Sequence, residues 1–292
     1  MGDTFWTNTI WYIALAATSA AVLTVVFIKS PHRKFTLGFW LAVLGATYVI
    51  EVFLLLVTDA YTYYPMLTTD KFQDAVLGNF FSQFSVSSTA VLMVVLRLSR
   101  WWRVGFSIAY FLIDVLFVQL GIYEHHWYRS YYTLAGFFIY SWLVQKWHHR
   151  LLQKPGRLIY LFTLFFGVFA IAGNSIITSL KLLGIQIFQP GFVTDMSKDH
   201  TSGSLIYGPV LIILCIALYF WKVKWCVKAG VLAIIATVQY LLIALGLLYI
   251  KSGWMTIVIL IDILGFYGWT VAVDRLLDSR QLNYKRISPP LQ

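Results

Sequence analysis

Residues 131–180 read YYTLAGFFIYSWLVQKWHHRLLQKPGRLIYLFTLFFGVFAIAGNSIITSL: an apolar run, a basic cluster (Lys146, Arg150, Lys154, Arg157) and a second apolar run. A hydrocarbon core of about 30 Å needs roughly 20 apolar residues in a helix. The pattern therefore predicts two membrane spans joined by a charged turn. It recurs along the chain. Further clusters are Lys29/Arg33/Lys34, Arg97/Arg100/Arg103, Lys222/Lys224/Lys228 and Arg275/Arg280/Lys285/Arg286. Nine spans are expected between them, at 7–28, 35–57, 75–96, 104–122, 131–145, 158–180, 205–221, 229–250 and 255–273.

The five clusters hold 17 of the 22 basic residues and occupy every second connection plus the C-terminal tail. Basic loops stay cytoplasmic, which predicts an N-terminus outside and a C-terminus inside. Asp3, Asp59, Asp70, Asp74, Glu124, Asp195 and Asp199 fall on the opposite side. Trp101, Trp102, Trp147, Trp221 and Trp225 flank the basic side and Trp6, Trp127 and Trp254 the other, as interfacial belts do.

Composition agrees. The chain is 60% hydrophobic and 12% charged, against about 25% charged in soluble proteins. Its net charge of +10 sits at the ends of apolar runs, which argues against a nucleic-acid surface. Cys215 and Cys226 make neither a disulfide framework nor a metal spacing. The opening Met-Gly-Asp-Thr-Phe-Trp lacks a basic leader region, so the first run is expected to remain as a helix. The whole chain, 1–292, is expected to form one all-α integral membrane domain with no internal repeat. An odd span count argues against two equal halves, and the scarcity of prolines within spans disfavours a repeat transporter.

A central Asp in hydrocarbon costs about 2.5–3.5 kcal/mol on an insertion scale, so three intramembrane carboxyl groups call for explanation: Glu51, Asp114 and Asp262. At 1.5 Å per helical residue they lie about 9–12 Å below the outer ends of their spans, as do Gln83 and Asn174. Five polar groups from five helices share one layer. With Asn79, Ser82, Ser85, Ser87, Ser88, Gln119 and Asp59 nearby in sequence, they suggest a polar cavity open to the outside, with Glu51, Gln83, Asp114, Asn174 and Asp262 as ligand-binding residues. Interhelical hydrogen bonding alone also explains such groups. As an enzyme site, Glu51, Asp114 or Asp262 would be the catalytic acid. Glu124, His125 and His126 are weak metal-ligand candidates, since neighbouring histidines on a helix point about 100° apart. No cofactor is implied. The expected partners are the lipid bilayer and a small-molecule or lipidic ligand.

The stretch Gly121-Ile-Tyr-Glu-His-His-Trp-Tyr-Arg-Ser-Tyr-Tyr-Thr, running into Trp142-Leu-Val-Gln-Lys-Trp-His-His, resembles a family of uncharacterised multi-spanning membrane proteins of spore-forming Firmicutes. Asp74 and Gly78-Asn79…Ser82-Gln83 are similar to the same pattern, and the likeness covers about residues 40–150. It implies a bacterial plasma membrane and carries no chemistry. A more distant likeness in size and buried acids links the chain to membrane-embedded terpene cyclases, with no specific motif shared.

Overall fold

In the computed structural model, which describes residues 4–153, 156–221 and 224–277, nine long helices account for most of the chain. They are α1 (Phe5–Lys29), α2 (Arg33–Val57), α3 (Lys71–Val95), α4 (Arg100–Gln119), α5 (Ser130–Leu152), α6 (Arg157–Leu182), α7 (Met196–Phe220), α8 (Trp225–Ala244) and α9 (Met255–Leu277). Seven are long and apolar enough to cross a membrane. The other two, α3 and α5, fall short for visible reasons. α3 buries Asn79, Gln83, Ser85, Ser87 and Ser88 against its neighbours, and α5 ends in the basic segment Lys146–Arg150. Lys154, Lys222, Arg280, Lys285, Arg286 and Asp3 lie outside the described residues.

Each expected span holds a helix, with shifted ends. α5 runs to Leu152 rather than 145, and α7 starts at Met196 rather than 205. The expected span 229–250 stops at Ala244, because residues 248–250 form a strand. The all-helical expectation therefore needs one amendment. Two short antiparallel strand pairs occur among the described residues, β1 (Tyr61–Tyr63) with β2 (Tyr123–His125) and β3 (Gln186–Phe188) with β4 (Leu248–Ile250).

The strand pairs expose an internal repeat that the sequence reading did not find. Shifting by 125 residues carries β1 onto β3, β2 onto β4, α3 onto α7, α4 onto α8 and α5 onto α9, with identical bounds (186 against 61, 255 against 130). α2 and α6 correspond within a residue, and each carries a π-helical turn near its outer end, at Phe53–Val57 and Gly173–Ile177. α1 stands outside the repeat, packed along α3. The odd number of helices is one plus four plus four.

The same punctuation builds both copies: Pro65, Asp70, Asp74 and Gly78 against Pro190, Asp195, Asp199 and Gly203. Asp70 and Asp195 cap the helices α3 and α7 through the backbone N–H of Gln73 and of Ser197 and Lys198. A side-chain oxygen there satisfies donors that the first helical turn leaves free. One turn later Asp74 accepts the N–H groups of Met66, Leu67 and Thr68 at 2.7–3.0 Å. Asp199 takes those of Gly191, Phe192 and Val193 at 2.8–3.2 Å. These carboxylates fold the outer loops rather than face a ligand. Glycine is required at 78 and 203 because a Cβ there would lie 2.4 Å from Tyr63 Cβ and 2.6 Å from Phe188 Cβ, respectively.

The copies meet along α2 and α6, the most extensively packed pair, where a Cβ on Gly45 would strike the Phe166 carbonyl oxygen at 2.0 Å. Small residues let membrane helices approach this closely, and packing rather than hydrophobic burial then holds them together. At the end of the bundle that carries the strands, Ser197 donates to Asp70 Oδ2 at 2.5 Å, tying the second copy to the first.

Candidate functional site

The first half encloses a cavity of about 470 Å³. Its roof is the β1/β2 strand pair. Side chains alternate across a strand, so the pairs Tyr61↔His125 and Tyr63↔Tyr123 point down while Thr62↔Glu124 points away. Tyr61, Tyr63 and Tyr123 are buried; Tyr63 and Tyr123 stack with centroids 4.5 Å apart, and Tyr61 meets Tyr63 edge-on at 5.3 Å. Burial first, and then the charge of Glu51, holds the Tyr63 phenol well above its usual range; burial does the same for Tyr123. Both therefore present neutral hydroxyls.

Two carboxyl groups reach this space from different helices. Glu51 of α2 accepts a hydrogen bond from the Tyr61 hydroxyl. Asp114 of α4 accepts one from Thr133 Oγ1 at 2.6 Å. Its other oxygen lies 3.2 Å from His125 Nε2, close enough for an ion pair but off the line of a hydrogen bond, so both atoms lack a hydrogen-bond partner. Asp114 is 7% exposed. Asp114 lines the cavity while His125 stands behind it, outside the lining, so the pair sets the environment of the one carboxyl group that the cavity wall shares with Glu51. Gln83 also lines the space and turns its amide nitrogen toward Asn79 at 3.3 Å.

The opening is lateral. Ile50, Ile139 and Leu143 line the cavity yet are 53%, 55% and 50% exposed on the outer flank of the bundle. They belong to α2 and α5, which scarcely touch. Tyr140 closes the lower end of the gap by donating to the Val43 carbonyl at 2.9 Å, and the exposed rings of Trp127 and Tyr132 frame its upper end. The expected opening straight to the outside is blocked by the tyrosine roof.

The structure divides the expected five-residue layer. Glu51, Gln83 and Asp114 line the cavity. Asp262 does not; it lies in the second half, fully buried, accepting from Gln186, Tyr207 and Gln239. The expected layer rested on depth along the helix axes, and depth carries no lateral position. Asn174 falls in the π turn of α6, and its side chain is outside the described residues.

The weak metal trio points three ways. His125 faces Asp114, Glu124 accepts from the Tyr64 hydroxyl at 2.5 Å, and His126 Nδ1 sits 2.8 Å from the Asp59 carbonyl. Partial burial and the neighbouring Glu124 push the Tyr64 phenol up to about 12. Among the described residues, no three His, Cys, Asp or Glu side chains gather as metal ligands.

Tyr61, Thr133 and His125 are the partners that sequence reasoning did not assign to the acids. The alternation Tyr61-Thr-Tyr63 against Tyr123-Glu-His125 was the available signal, but three residues are too few to mark a strand on their own.

No protein-family model, curated protein sequence or solved structure matches the chain.

Proposed function

We propose that this chain is a nine-span protein of a bacterial plasma membrane, N-terminus outside and C-terminus cytoplasmic, whose first half binds an amphipathic lipidic ligand taken up from the bilayer. The observation that carries this reading is the exposed apolar flank Ile50–Ile139–Leu143 opening onto the Glu51 and Asp114 pairs. An apolar tail would thread between α2 and α5 while a polar head meets the carboxyl groups and the tyrosine hydroxyls beneath the β1/β2 strand pair. Ligand pockets commonly combine an apolar lining with a few convergent polar groups.

Ile139→Trp and Leu143→Trp test it. Both residues are half-exposed, so the added ring obstructs the gap with little cost to the bundle. Native mass spectrometry of the purified protein should show bound lipid on the parent chain and a several-fold loss on both variants. Equal lipid occupancy in all three rules out lateral entry.

A second reading gives the site an enzyme's role on a lipid or isoprenoid, with Asp114 or Glu51 as general acid. Asp114 supports it by having one oxygen on Thr133 and the other beside His125, an arrangement able to hold and pass a proton. Asp114→Asn and Glu51→Gln separate the readings. Incubation with a membrane-lipid extract should leave its masses unchanged if the site only binds. A new product made by the parent chain and lost in one amide variant, with lipid still bound, establishes catalysis.

A further inference from the structure

The place in the second half that is equivalent to the aromatic cavity carries a different set of side chains among the described residues. Four positions equivalent to cavity-lining Tyr61, Ser82, Asp114 and Phe137 carry Gln186, Tyr207, Gln239 and Asp262, and these four side chains converge on one point. Asp262 Oδ2 accepts Gln239 Nε2 at 2.6 Å, Tyr207 Oη at 3.0 Å and Gln186 Nε2 at 3.2 Å. Gln186, Gln239 and Asp262 are all 0% exposed. Three oxygens remain without any partner: Asp262 Oδ1, Gln186 Oε1 and Gln239 Oε1.

The accounting is one-sided. Two of these oxygens belong to the amide groups whose nitrogens donate to Asp262 Oδ2, the third is the carboxylate's own second oxygen, and none of them has a donor facing it among the described residues. The three partners are neutral, and among the described residues no Lys, Arg or His pairs with Asp262. An uncompensated charge in the interior of a membrane bundle is strongly unfavourable. We infer that this cluster is a binding site for one dehydrated sodium ion. Four oxygen-bearing side chains from β3, α7, α8 and α9 supply hard ligands of the kind that small alkali and alkaline-earth cations prefer. A half-turn of either amide exchanges its nitrogen for its oxygen without moving its neighbours. One carboxylate balances a single positive charge, whereas a divalent ion would leave an excess.

The site is independent of the lipid reading and is tested separately. Thermal unfolding of the full purified chain is followed as sodium chloride replaces choline chloride at constant ionic strength. A saturable rise in Tm with sodium is expected, as for any ligand that binds only the folded state. Asp262→Asn should abolish the rise while the protein still elutes as a folded species. If that variant does not fold, Gln239→Leu carries the test and should move the half-maximal sodium concentration several-fold upward. Identical Tm values in sodium and choline overturn the inference, and so does a sodium response that survives Asp262→Asn or is unmoved by Gln239→Leu. A potassium response equal to that of sodium overturns the assignment to a sodium-sized ion.

Discussion

The two halves share a backbone plan and differ in where the fourth helix leans. In the first half α5 packs against α4 and leaves α2, whereas in the second α9 leaves α8 and packs against α6 and α7. The first arrangement opens a flank above Glu51 and Asp114. The second closes the same flank, and its interior is filled by Tyr207, Gln239 and Asp262 where the first has Ser82, Asp114 and Phe137. One plan thus supports either a hollow or a filled interior, and a few buried residues decide between them. The lesson is that the loop carboxylates Asp74 and Asp199 belong to the plan, while Glu51 and Asp114 belong to only one of its uses.

The largest effect should come from removing the filling. Tyr207→Ala deletes a side chain that donates to Asp262, and large-to-small changes of this kind cost about 3–5 kcal/mol. Its counterpart change, Ser82→Ala, borders an existing cavity and should cost under about 0.5 kcal/mol. Denaturation midpoints of the two variants measure the contrast, and equal losses would erase it.

Next come the shared glycines. Gly78→Ala and Gly203→Ala each force a Cβ into a neighbouring Cβ, an overpacking that costs about 1–3 kcal/mol. Because the clash is the same in both copies, the two losses of thermal stability should match. A variant tolerated in one half alone would break the equivalence of the outer loops.

The smallest effect concerns pH. Partial burial raises the Asp70 carboxyl, but hydrogen bonds from Ser197 and the Gln73 N–H, with the charge of Lys181, outweigh it and leave the group below its ordinary value. The folded state therefore favours the ionised form. The stabilisation is present above the unfolded value of about 3.9 and is lost as pH falls through the lower folded value. Asp70→Asn should flatten the acid limb of the stability profile below about pH 4. An acid limb unchanged by this substitution would show that the Asp70–Ser197 tie between the halves contributes nothing.

Much of this was legible in the sequence and some was not, for physical reasons. The basic clusters located all nine helices because charge cannot sit within the hydrocarbon. The repeat stayed hidden because the residues its copies share, among them the Pro, Asp, Asp and Gly of the loops and the glycines Gly121 and Gly246, are few and scattered among apolar spans that are interchangeable between copies. α1, packed outside the repeat, also concealed the four-plus-four arrangement. Glu51, Gln83 and Asp114 were found because polar groups in apolar helices stand out. Their partners Tyr61 and His125 were missed because a long-range strand pair, invisible at three residues per strand, brings them over the cavity. Asp262 was grouped with the other two by depth alone, and only the lateral arrangement of helices separates it.

The asymmetry of the two flanks is the central claim, and photo-crosslinking from the lipid phase tests it most directly. The protein is reconstituted with phospholipids carrying a diazirine in one acyl chain, irradiated, and the adducts are mapped by peptide mass spectrometry. Adducts should form on the cavity residues Ser82, Val86 and Phe137 and be absent from their counterparts Tyr207, Leu211 and Asp262. Labelling of both sets alike, or labelling confined to the outer surfaces of the helices, would contradict it.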